Sequence, residues 1–168
     1  MPRGFTYKTK MWINVLMSLE GLATAMGLAR RYKIPPATAH YLVGLSKSWG
    51  IIEARKIGGI LYIAPRGKFD QYAAEWGRWF YELAVKLLNG CRSQCCRVPI
   101  QELYRHFRAD IDARMVKELG LMRPHGVTAF ISYTVRAYRE DAVETISRPL
   151  IKVCRGGGLE SNKSTAGL

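Results

Sequence analysis

Hydrophobic positions spaced three and four apart open the chain: Trp12, Val15, Leu16 and Leu19 fall on one stripe of a helix predicted from Lys10 and ended by Gly21. The next helix closes at Arg30-Arg31-Tyr32-Lys33, because cations in a last turn suit the helix dipole and Pro35-Pro36 cannot continue it. Pro36 fits the first position of a third helix, where a missing N–H is harmless, and Gly50 caps that helix just after Trp49. Its inward face is Ala39, Leu42, Val43, Ser46 and Trp49; Ala37, Thr38, His40, Tyr41, Gly44 and Lys47 are left outside. The period then shortens to two. Residues 51–55 and 60–64 are β-branched and aromatic, and Gly58-Gly59 between them supplies the positive φ angles of a tight hairpin.

Beyond Pro65-Arg66-Gly67, which marks a boundary, Phe69, Tyr72 or Ala73, Trp76, Phe80, Leu83 and Leu87 recur at helical spacing up to Asn89-Gly90. This is the longest helix in the sequence. Trp79 and Tyr81 lie off its main stripe, which suits either a helix packed between two domains or a homodimer formed between Phe69 and Leu88. A short helix follows Pro99, with Ile100, Leu103, Tyr104 and Phe107 on one face. Asp110 then caps a helix that carries Ile111, Met115, Val116 and Leu119 inward and stops at Gly120. Residues 127–138 alternate and are β-branched, as a strand should be, with residues 148–154 as its partner and 141–147 as a turn or helix. Residues 1–9 read as a loose basic arm, and residues 155–168, small and polar after a glycine run, read as a disordered tail.

Helix, turn, helix and hairpin in this order resemble the winged helix-turn-helix DNA-binding family. The likeness rests on Leu28-Ala29 before the turn, Ile34 in it, Ala37-Thr38-Ala39 opening the next helix, the Gly50-Ile51-Ile52-Glu53 exit and the hairpin around Gly58-Gly59. Pro35-Pro36 replaces the small polar pair that often opens the recognition helix of that family, and Ser46 stands where a larger apolar residue is usual. The resemblance implies an α+β, helix-rich fold: a winged-helix domain over residues 1–67, then a long connecting helix and a second, winged-helix-like domain over 68–154. It also implies a duplex partner, since the outward face of one helix fits the major groove while a wing reaches a flanking phosphate or the minor groove. Ala37, Thr38, His40, Tyr41 and Lys47 on that helix, Arg30, Arg31 and Lys33 before it, and Arg55 and Lys56 on the wing are the implied contacts.

Charge points the same way. A formal net charge of +13 favours a polyanionic partner. The first 67 residues hold ten Lys and Arg against Glu20 and Glu53, a balance of +8. Residues 68–154 hold fourteen against ten acids, only +4. No apolar run approaches the ~20 residues needed to span a bilayer, and the N-terminus has no signal-peptide core, so an intracellular, cytoplasmic protein without a membrane partner is expected. Scarce Asn and Gln beside frequent Arg, Tyr and Ile form a bias met in heat-adapted proteins.

Candidate chemistry is thin. Cys91, Cys95, Cys96 and Cys154 lack the paired Cys-x2-Cys knuckles of a zinc ribbon, and reduced thiols or a disulfide are the stronger expectation. Glu102, Asp110, Asp112 and Glu118 are better used on a cap and a solvated helix face than around a catalytic metal, the three histidines are scattered, and Gly156-Gly157-Gly158 lacks the Lys-Ser of a phosphate loop. The expectation is therefore a DNA-binding transcriptional regulator with neither cofactor, metal nor catalysis. The alternatives are a replication or partition initiator with tandem winged helices, a protein-recruiting scaffold, or an RNA binder.

Overall fold

The computed structural model describes residues 7–145 and 147–154. In its first half, α1 (Tyr7–Met17), β1 (Ala23–Thr24), α2 (Ala25–Tyr32) and α3 (Pro36–Ser48) lead into the hairpin β2 (Ile52–Ile57) and β3 (Ile60–Pro65). Local chemistry sets each boundary. The Thr24 hydroxyl accepts the Gly27 N–H at the start of α2 at 3.0 Å, and Lys33 turns to φ 55° to close its end. Gly58 and Gly59, at φ 59° and 85°, make the two-residue turn that pairs Ile57 with Ile60. The sheet is antiparallel in the order β1-β3-β2.

The second half runs α4 (Phe69–Lys86), β4 (Cys95–Pro99), α5 (Ile100–His106), α6 (Arg108–Leu119), α7 (Val127–Tyr138), a 3-10 turn (Glu140–Ala142), β5 (Val143–Thr145) and β6 (Pro149–Cys154). Its sheet is also antiparallel, in the order β4-β6-β5. Helix, strand, two helices and hairpin thus occur twice, with the last strand central each time and α7 added before the second hairpin. The protein is α+β.

Several expectations need correction. Residues 127–138 form a helix, not a strand: Val127, Phe130, Ile131, Thr134 and Val135 all fall on its buried face, a spacing that β-branched side chains do not forbid when a long groove awaits them. β6 accordingly pairs with β4 and β5 rather than with residues 127–138. Asp110 sits inside the first turn of α6 rather than capping it, and Val116 is exposed rather than inward. α1 starts before Lys10, at Tyr7. The remainder of the expected arm, residues 1–6, and the tail at 155–168 lie outside the described residues.

The first hairpin lies between two cores because its side chains alternate. One face gives Ile52 and Ile63 to a core with Trp12, Leu16, Leu28, Ala39, Leu42 and Val43. The other gives Ile57, Ile60, Tyr62 and Ala64 to a larger core built on α4 and α7, where Tyr62 stacks on Phe130 with ring centroids 4.8 Å apart. Phe69, Trp76, Phe80 and Leu83, the stripe considered for a homodimer, are buried in this second core, so α4 offers solvent a mainly polar side and that stripe is spent within the chain. Arg114 from α6 lies over the rings of Trp76 and Trp79, at 4.3 and 4.6 Å from their centroids, and covers this aromatic cluster from outside.

A second seam joins α2 to the end of α6. Thr24 donates its hydroxyl proton to the Leu119 carbonyl at 2.9 Å, and Arg30 donates to the Gly120 carbonyl. Gly27 and Gly120 allow this approach: a Cβ at Gly27 would fall 2.3 Å from the Leu119 oxygen. Through the hairpin and this seam, the second half backs the first and leaves α3 outside.

Candidate nucleic-acid interface

α3 presents two unlike faces. Ala39, Leu42, Val43 and Ser46 are buried, as expected, while Trp49 is half-buried at the cap. Ala37, Thr38, His40, Tyr41, Gly44 and Lys47 are all exposed, and Tyr41 keeps 55% of its surface in contact with solvent. No element of the second half covers this face in the packing described above. Because α3 opens on Pro36, its first turn carries one backbone donor fewer to satisfy, and the exposed helix start needs no side-chain cap.

The other candidate residues divide. Arg31 and Lys33 are exposed at the end of α2, next to the turn into α3. Arg30 instead turns toward α6, where its guanidinium serves the Gly120 carbonyl, so it is a structural link between the halves. It borders a groove of about 720 Å³ whose lining mixes Arg31 and Lys117 with Glu20 and Glu118.

Arg55 is also structural. Its guanidinium donates to Asp70 at 2.8 Å and to the Tyr133 hydroxyl, lies 3.4 Å from Glu53, and rests over the Phe69 ring. The hydrogen bond to Tyr133 raises its pKa most, partial burial opposes, and Asp70 reinforces the rise. The charge expected at a wing thus ties β2 to α4 and α7. Lys56 remains exposed, but the hairpin tip does not project freely: a Cβ at Gly58 would meet the Gly126 oxygen at 2.7 Å. The tip is seated on the start of α7, and the expected reach of this hairpin to a flanking phosphate is restricted to its outer edge.

Thr128, Ser132, Tyr133 and Arg136, which stand beside Lys56 along α7, were not visible to sequence reasoning because that stretch reads as a strand. The signal that could have found them is the 3-4 spacing of Val127, Phe130, Ile131, Thr134 and Val135.

The four cysteines pair as Cys91–Cys96 and Cys95–Cys154, the latter between residues directly opposite on β4 and β6. The expectation left open between reduced thiols and a disulfide, with zinc the weaker alternative, resolves to disulfides, which use all four thiols. Among the described residues no group of His, Cys, Asp and Glu is placed to hold a metal, and no helix is long and apolar enough to cross a membrane.

Among solved structures, this chain is similar to a hypothetical protein of Pyrobaculum spherical virus, with a TM-score of 0.55 at 10% identity over 89% of this chain and 96% of that one. At such identity the likeness shows the fold alone. No family model matches the sequence, and no curated protein matches it.

Proposed function

We propose that this chain binds double-stranded DNA as a transcriptional regulator, with residues 7–65 acting as a winged helix-turn-helix and α3 lying in the major groove. The observation that carries the reading is the solvent exposure of the whole outward face of α3, beside Arg31 and Lys33, in the half of the chain that holds most of the excess positive charge. Lys33, Lys47 and Arg31 supply phosphate affinity; Thr38, His40 and Tyr41 meet base edges. Arg30 and Arg55 belong to the scaffold that holds α2 and the hairpin.

Selection of duplexes from a random pool, followed by affinity measurements on the enriched sequence, tests this. Replacing Thr38, His40 and Tyr41 together with Ala is expected to weaken the enriched site at least ~10-fold relative to random duplex, since each lost base contact is worth about 1–3 kcal/mol. Affinity should also fall steeply between ~50 and ~200 mM salt. Failure to enrich any sequence, with affinity flat across that salt range, would remove the proposal.

The doubled element order favours a second reading, in which both halves are winged helices on one DNA, as in a replication or partition initiator. A footprint longer than one helical turn beyond the α3 site distinguishes it from a single-module regulator.

A further inference from the structure

Among the described residues, α2, α3 and α4 each contain one internal glycine, and packing accounts for two of them. A Cβ at Gly27 of α2 would stand 2.3 Å from the Leu119 carbonyl oxygen, and one at Gly77 of α4 would stand 1.8 Å from that of Thr134. Gly44 of α3 has no such neighbour: a Cβ there would meet nothing within 4 Å. Its φ is not positive, so the backbone does not call for glycine either. Glycine at an exposed interior position weakens a helix relative to alanine, and no contact within the described chain offsets that loss.

The place of Gly44 on α3 supplies a reason from outside the chain. Helical spacing sets it on the midline of the outward face, opposite the buried Leu42 and Ser46. His40 and Lys47 stand on one flank of it and Tyr41 and Ser48 on the other, all exposed. Ser48 turns its hydroxyl back to the Leu45 carbonyl, at 2.7 Å. The result is a notch one methyl group deep, floored by helix backbone and walled by His40, Tyr41 and Lys47. α3 carries no carboxylate that would repel a polyanion there.

We propose that Gly44 is the point at which α3 comes closest to a duplex, and that its notch receives the C5-methyl group of one thymine. This rests on the reading given under Proposed function and names the base that the same face selects. The thymine methyl is the apolar group that base edges present in the major groove. The rings of His40 and Tyr41 and the methylene stem of Lys47 shield it from water, while the Lys47 ammonium stays free to meet phosphate. A side chain at position 44 would fill the space of that methyl and lift α3 off the groove floor, lengthening the hydrogen bonds that His40 and Tyr41 make to the bases.

The test uses the full chain as native protein, as Gly44→Ala, and with Thr38→Ala, His40→Ala and Tyr41→Ala combined. Stability and binding should move in opposite directions in Gly44→Ala. Its melting temperature is expected to rise by ~2–4 °C, because alanine suits the helix interior better and meets no obstacle. Its affinity for the duplex enriched from the random pool is expected to fall at least ~10-fold, the worth of one base contact. Each thymine of that duplex is then replaced in turn by uracil, which lacks only the methyl group. Native protein should lose ~4-fold at one position, the worth of one buried methyl, and Gly44→Ala should lose nothing further there.

If Gly44→Ala binds the enriched duplex as native protein does while the combined α3 variant loses sequence preference, the Gly44 proposal is overturned and the α3 reading stands. If the combined variant also keeps its preference, the α3 reading fails and the Gly44 proposal with it. A melting temperature that falls in Gly44→Ala would show that the fold itself needs this glycine, and overturns the proposal whatever the binding. Weakened binding with no position sensitive to uracil supports the close approach and overturns the assignment to thymine.

Discussion

Gly77 of α4 packs directly against the Thr134 carbonyl of α7: a Cβ on Gly77 would stand 1.8 Å from that oxygen and 2.8 Å from the Val135 nitrogen. Both obstacles are helical backbone, which cannot swing aside as the end of a side chain can. Thr134 completes the fit by returning its hydroxyl to the Phe130 carbonyl at 2.8 Å, so the buried contact leaves no side-chain donor orphaned. Gly77→Ala is therefore expected to push the two helices apart and cost about 3 kcal/mol, the upper range for overpacking, despite the better helix propensity of Ala. At ~2–4 °C per kcal/mol for a chain of this size, calorimetry should record a fall of ~6–12 °C; an unchanged or higher melting temperature would contradict the packing.

Tyr62 has the opposite difficulty. Its ring is fully buried on Phe130, and its hydroxyl is the side-chain polar atom among the described residues that is buried without a hydrogen-bond partner. Burial holds its phenol well above the ordinary range. Tyr62→Phe keeps the ring and removes the stranded group, so stability should stay level or rise by ~1 kcal/mol. The raised pKa also fixes a sign: the unfolded chain loses this proton near pH 10 while the native chain retains it, so stability is intact below pH 10 and declines as pH climbs above it. Melting temperatures followed from pH 8 to pH 11 should show a shallower alkaline decline for the Phe variant than for the native chain.

The Cys95–Cys154 bridge closes a loop of 59 residues, whereas Cys91–Cys96 closes one of five. Loop-closure entropy grows with loop length, so the first bridge should dominate, at up to ~4 kcal/mol on a purely entropic account. Reduction, or Cys154→Ser, should lower the melting temperature more than Cys91→Ser does. Peptide mapping under non-reducing conditions gives the direct check, and four free thiols in the native protein would contradict both pairings.

Much of the first half was legible along the chain. Proline, glycine and the terminal cations of α2 act over one helical turn, and they marked the turn before α3 and the hairpin at Gly58-Gly59 without any knowledge of distant residues. The outward face of α3 was likewise readable, because a helix of known start and period has only one way to divide its apolar and polar side chains. The second half was less so. Val127 to Tyr138 satisfies both an alternating and a helical pattern, and the choice depended on the groove that Gly77 opens on α4.

What the sequence alone determined, then, is where α2 ends, where α3 begins and ends, and which side of α3 is polar. The tertiary structure decided where charge is used. Arg30 and Arg55 look like their neighbours in a list of cations, yet one serves a carbonyl 90 residues away and the other bonds to a tyrosine 78 residues away. Local propensity reports interactions within a turn or two, and the partner of a long side chain is set by whatever the rest of the chain brings within its reach.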